Sequence, residues 1–185
     1  MSGLSEYLVQ KRQALLALRA NSRAKGYPRS AVTARVTAEG RSGVRRIRLG
    51  DFQILSDSGY HYAGYHLGPS SAQLQLGVLG SCLTHIFLVK AAELEIPLDA
   101  LEVQVHGEID PRGGEPEFPD AVVEPQNITY EVLLAAPSAS DADLERLHKE
   151  AQQASLILNL LRNPQEVTGT VRNTAEPTGT VPADA

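Results

Sequence analysis

The chain has 185 residues, one cysteine, and 17 Lys+Arg against 22 Asp+Glu, a formal net charge of −5. That length suits one domain of ordinary size, which buries about 70% of its unfolded-state surface and needs no disulfide or metal to hold a core. The acidic balance speaks against a general nucleic-acid binder, and a single cysteine rules out an internal disulfide framework.

No basic, apolar, small-residue leader opens the sequence, so a cytoplasmic protein is expected. Residues 5–24 predict a helix with Leu8, Leu15, Leu16 and Leu18 on its apolar side and Ser5 as its cap. Lys25-Gly26-Tyr27-Pro28 ends it. Residues 31–39 alternate Val32, Ala34, Val36 and Ala38 with Thr33, Arg35 and Thr37, the pattern of a half-buried strand. A turn at Gly40-Arg41-Ser42-Gly43, a basic strand over residues 44–49 and a third strand from Phe52 complete an antiparallel meander. Residues 60–71 read as a loop carrying Tyr60, His61, Tyr62, Tyr65 and His66.

The stretch Leu74 to Glu95 dominates the chain: LQLGVLGSCLTHIFLVKAAELE. Ser70 or Ser71 caps it and Pro97 follows its end. Apolar residues lie on most of its circumference, the mark of a helix in a core or a subunit interface. Gly80, Ser81, Cys82, Thr84 and His85 interrupt it, and Lys90 and Glu93 close it, before it reaches a membrane-spanning length. Residues 101–109 alternate as a strand, a Gly- and Pro-rich loop follows over residues 110–120, and Ile128, Tyr130, Val132 and Leu134 give another strand. One long helix is predicted over residues 141–161, stopped by Arg162-Asn163-Pro164, with a closing strand over residues 166–172 and a loose tail over residues 176–185. The element order is that of a mixed α+β fold. Its organisation is a helical extension (residues 1–30), a single domain (31–172) and a tail (173–185).

Cys82 is the one candidate nucleophile. A thiolate attacks peroxide oxygen to give a sulfenic acid, which a second thiol resolves; a free cysteine is equally a small buried hydrophobe. Arg41, on a turn between strands, is the arginine of the basic run best placed to reach inward. His85 follows Cys82 by three residues and shares its helix face. Tyr60, Tyr62, His66 and His85 are candidates to line a pocket. The five histidines lack metal-chelating spacing, and no nucleotide-binding glycine motif follows a strand, so neither metal nor cofactor is expected.

The run LQLGVLGSCLTHIFLVKAAELEIPLDALEVQVHGEID resembles the central segment of the OsmC/Ohr family, the osmotically induced and organic hydroperoxide resistance proteins. The small-residue–Cys–x–Thr stretch, the I-P-L-D break and the V-x-V-x-G strand carry the likeness, and LRNP near residue 163 extends it. The resemblance implies an OsmC-like α+β fold, with antiparallel sheets and long central helices, in which two chains interlock as a homodimer. It implies reduction of organic hydroperoxides, with Cys82 as the peroxidatic cysteine and Arg41 as the arginine that holds its thiolate. The family's resolving cysteine falls at Ser155 and its partner glutamate at Ala72. Two functions follow as expectations. One is a single-cysteine thiol peroxidase served by an external thiol reductant. The other is a non-catalytic protein binding a small apolar or acidic ligand at the dimer interface. Neither involves nucleic acid or membrane.

Overall fold

The computed structural model describes residues 3–173, and the tail expected over residues 176–185 lies outside them. Two compact units divide the chain. Among the described residues, one holds 3–29 and 75–164 and the other 30–74 and 165–173. The elements in order are α1 (Gly3–Ala24), β1 (Arg35–Ala38), β2 (Arg45–Leu49), β3 (Phe52–Ser56), a 3₁₀ turn (Tyr60–Tyr62), α2 (Ser71–Leu94), β4 (Ala100–Glu108), β5 (Gln126–Ala135), α3 (Asp141–Ala154) and α4 (Leu156–Arg162). This is an α+β fold with two antiparallel sheets, β1-β2-β3 and β4-β5.

The first unit is built on α2. Ser70 starts the helix with a reciprocal cap: its Oγ accepts from the Gln73 N–H while the Gln73 side chain accepts from the Ser70 N–H. At the other end Glu95 takes a left-handed conformation (φ 58°), and the Ile96 N–H reaches back to the Ala91 carbonyl, closing the helix before Pro97. Leu79, Leu83, Phe87 and Ala91 are buried. Their four-residue spacing makes one stripe along the helix. It packs with Val103, Val105, Ile128 and Tyr130 of the β4–β5 hairpin, Leu158 of α4, and Leu147 and Ala151 of α3. Each fully buried leucine of this stripe is stabilised by about 1.5–3 kcal/mol relative to exposure.

In the single chain part of the α2 surface is open. Val78 stays half-exposed, and Ser81 and His85 are open. A stripe of i, i+4 residues covers only part of a helix surface. The expectation that this helix falls short of a membrane-spanning length is corrected: over 24 residues its length and composition alone would let it cross a membrane, and it is the stripe packed on the hairpin and on α3–α4 that supports a core helix.

The β4–β5 hairpin follows its alternation. Leu101 pairs with Leu134, Val103 with Val132 and Val105 with Tyr130, so one face is apolar throughout. A bulge falls at Gly107, where a Cβ would come within 3.3 Å of Leu76 and 3.4 Å of Ile128. Helix α1 adds Leu4, Leu8 and Leu15 to this core, with ion pairs from Arg12 to Glu95 and from Arg19 to Glu93. Leu16 and Leu18, expected inside, are exposed, because the buried stripe runs 4, 8, 15. Ser5 is not a cap: the helix starts at Gly3, and the buried Ser5 hydroxyl donates to the Leu98 carbonyl.

The second unit is the meander. β1 is shorter than predicted, four residues from Arg35, and Val32 is almost fully exposed. Register places Val36, Ile47 and Ile54 in one row across the three strands, with Leu49 and Phe52 beside it. This apolar face is open in the single chain, with Phe52 at 78% exposure. The strand expected over residues 166–172 has not formed. Those residues have no regular structure, and Val167 and Val171 are exposed, since no neighbouring strand offers them a ladder.

Candidate functional site

The helix predicted over residues 141–161 is two helices, and the point where they part is chemically the most informative place in the fold. α3 opens with a capping box between Ser140 and Asp143 and ends at Ala154. Ser155 leaves the helical region (ψ 114°), and α4 restarts at Leu156. Ser155 ends one helix and caps the next: its N–H bonds to the Ala151 carbonyl, and its Oγ accepts from the Leu158 N–H. Serine competes with the backbone for hydrogen bonds, which suits it to a cap rather than a helix interior.

The Ser155 hydroxyl is fully buried, and the Cys82 sulfur lies 3.4 Å from it. Cys82 itself, on the flank of the α2 stripe beside Leu83, is partly exposed. Ser155 Oγ also accepts from the Leu158 N–H, and in the contact with Cys82 either the hydroxyl or the thiol can donate. A hydroxyl at this distance is within reach to hydrogen-bond a charged sulfur. Cys82 is thus partly exposed, and the hydroxyl it meets is buried.

Cys82 and Ser155, matched to each other in sequence only through the family resemblance, are thus neighbours in space. Arg41 belongs to the other unit. It sits exposed at the apex of the β1–β2 hairpin, where Gly40 has φ 54° and the Ser42 hydroxyl donates to the Glu39 carbonyl. Two other arginines of the meander are engaged locally. Arg46 pairs with Glu39, and Arg45 donates to the Ser56 and Ser58 hydroxyls and the Gly43 carbonyl. His85 is exposed, and its pKa is lowered by burial of part of its ring and then by the nearby Lys11 charge. It faces α1, whereas Cys82 faces the α3–α4 break.

Tyr60, Tyr62 and His66 share a loop in the second unit. Tyr60 stacks on His66 at 5.9 Å, and Tyr60 and Tyr62 are about three-quarters exposed. What holds this loop is Asp57, a residue that sequence reasoning passed over as part of a turn. Its buried carboxylate accepts from the N–H groups of Ser58 (2.8 Å), Tyr65 (2.9 Å) and Leu67 (3.1 Å). The Leu67 N–H foremost, then those of Ser58 and Tyr65 and the Arg45 charge, hold its carboxyl below the usual range against the opposing effect of burial. The loop forces Ala63 and His66 to positive φ, and a Cβ on Gly64 would meet the Ser58 carbonyl at 2.0 Å. A cleft of about 310 Å³ lies elsewhere, between α1 and the end of α2. Leu8, Val9, Ala91, Ala92, Ile96 and Pro97 line it, with Arg12 and Glu95 at its rim. Among the described residues no group of three or more His, Cys, Asp and Glu is placed to hold a metal ion.

The family model described as OsmC-like protein matches residues 64–169, more than half of the chain, and spans α2, both β4 and β5, and the α3–α4 pair. The chain belongs to the OsmC-like family. An OsmC-like protein from Mycoplasma pneumoniae has a similar structure at 14% identity, with a TM-score of 0.62, covering 73% of this chain and 89% of that one. An OsmC-like protein of unknown function from Vibrio cholerae is similar at 16% identity with a TM-score of 0.55, over 71% of this chain and 93% of that one. At these identities the likeness establishes the OsmC-like fold. No curated protein matches the chain by sequence. Within this fold Cys82 lies on the long helix α2 and Ser155 at the break that faces it.

Proposed function

We propose that this OsmC-like protein is a one-cysteine, thiol-dependent peroxidase for organic hydroperoxides, with Cys82 as nucleophile. The observation that carries the reading is the Cys82 Sγ–Ser155 Oγ contact of 3.4 Å, which puts a buried hydroxyl within hydrogen-bond reach of the sulfur. The thiolate attacks the terminal oxygen of ROOH. The O–O bond breaks, RO⁻ leaves and takes a proton from solvent to give ROH, and Cys82 is left as sulfenic acid. Ser155 cannot close a disulfide. A first molecule of an external low-molecular-weight thiol therefore attacks the Cys82 sulfur and releases water. A second releases the oxidised thiol dimer and restores the cysteine. Such a cycle suits the thiol-rich cytoplasm. Arg41 would serve the thiolate as an electrostatic partner, as the family resemblance implies.

The working form is proposed to be a homodimer. Apolar surface left open in each unit supports it: the uncovered side of α2 around Val78, and the row of Val36, Ile47 and Ile54 with Phe52 on the meander. Consumption of cumene hydroperoxide at the expense of an added thiol tests the activity. The wild-type chain should turn over many equivalents and Cys82→Ser none; equal, background-level loss in both would remove the peroxidase reading and favour the non-catalytic ligand-binding one.

A further inference from the structure

The break between α3 and α4 strips donors from several carbonyls. In a continuous helix the N–H groups of Leu156 and Ile157 would bond to the carbonyls of Gln152 and Gln153. Once Ser155 leaves the helix, those carbonyls are served instead by one side chain. The two N–H hydrogens of the Asn159 amide are shared among three carbonyls, Ser155 O at 2.7 Å and Gln152 O and Gln153 O at 3.2 Å each from Nδ2. Its own backbone N–H also bonds to Ser155 O.

We propose that Asn159 is the positioning residue of the Cys82 site: its amide holds open the α3–α4 break, and the break turns the Ser155 hydroxyl onto the Cys82 sulfur. Without those donors the cheapest repair is a continuous helix. In a helix interior a serine hydroxyl turns back to the carbonyl four residues before it, here that of Ala151 and away from Cys82. Asn159 touches no reacting atom and acts only through Ser155. The inference rests on the reading of Cys82 and Ser155 as the reactive pair, yet its test needs no hydroperoxide.

That test is the rate at which iodoacetamide alkylates Cys82 in the full chain, followed from acid to alkaline pH, for wild type, Ser155→Ala, Asn159→Leu and the double variant. Loss of one hydrogen bond to a charged sulfur leaves about tenfold less thiolate. A roughly threefold gain in the nucleophilicity of the remaining thiolate offsets part of this, so alkylation at neutral pH slows about threefold. Both single variants should show this slowing, with the rise of the profile moved to higher pH, and the double variant should be no slower than either. A wild-type profile for Asn159→Leu, whatever its melting temperature, would reduce Asn159 to a helix cap. A double variant slowed by the product of the two factors would make the residues independent, and an unmoved Ser155→Ala profile would leave Asn159 nothing to act through; each overturns the proposal. Should Asn159→Leu fail to fold, Asn159→Ser, with one donor for three carbonyls, carries the same test with a smaller shift. Absence of hydroperoxide turnover alone leaves the proposal standing.

Discussion

Replacing Ser155 by cysteine would convert the 3.4 Å contact into a covalent one. A disulfide needs its sulfurs about 2.05 Å apart, a closure of roughly 1.3 Å that rotation of two side chains supplies. Both residues belong to the same unit, Cys82 inside α2 and Ser155 at the α3–α4 junction. The bridge would close a loop of 73 residues. By the chain-entropy relation that stabilises the oxidised form by about 4 kcal/mol before strain is subtracted. The Leu158 N–H loses its hydroxyl acceptor in the variant, which costs about 1 kcal/mol, so a net gain of roughly 2–3 kcal/mol is expected. Mild oxidation of Ser155→Cys should remove two hydrogens from the mass of the chain and abolish both free thiols. The denaturation midpoint should rise, and a reductant should reverse it. Two titratable thiols after oxidation, or only dimers linked between chains, would refute the placement of Ser155 against Cys82.

Three further outcomes follow from the same physics. Asp57 has a lowered pKa when folded, so its contribution to stability is present above its unfolded value near about 3.9 and is lost as pH falls through the folded one. Asp57→Asn should therefore unfold more easily than wild type at neutral pH, with the gap closing in acid; a gap constant with pH would show that the three N–H bonds carry no charge preference. Leu83 is fully buried, and Leu83→Ala should cost about 2–5 kcal/mol in chemical denaturation; a cost under about 1 kcal/mol would place it outside the core. Sedimentation at micromolar concentration should give a dimer for the wild-type chain and a shift toward monomer for Val78→Asp; a stable wild-type monomer would contradict the proposed assembly.

How much of this was legible beforehand depends on whether the deciding interaction is local. Ser70 with Gln73, and Pro97 after a left-handed Glu95, fix the ends of α2 within a few residues, and the alternation of residues 101–109 and 128–134 sets the β4–β5 faces. The apolar pattern of α2 says that the helix is covered but not by what, so its single buried stripe could not be read from periodicity. Val167 and Val171 have strand character without a partner to pair with. The break at Ser155 was hidden because a serine within a helical pattern is tolerated; the readable signal was Asn159 four residues on, a side chain with the donors a broken helix needs. Proximity of Cys82 to position 155 came from the family resemblance alone, since 73 residues of chain separate them. Asp57 looked like turn chemistry, and only burial with three converging N–H groups shows it organising the Tyr60–Leu67 loop.

The central claim is that Cys82 attacks peroxide oxygen, and a single turnover tests it most directly. One equivalent of an organic hydroperoxide is added to reduced protein with dimedone present, and the intact mass and the Cys82 peptide are read at short times. The account predicts a dimedone adduct on Cys82, one alcohol released per chain, and neither product from Cys82→Ser. An unmodified Cys82 after the hydroperoxide has been given ample time would contradict it.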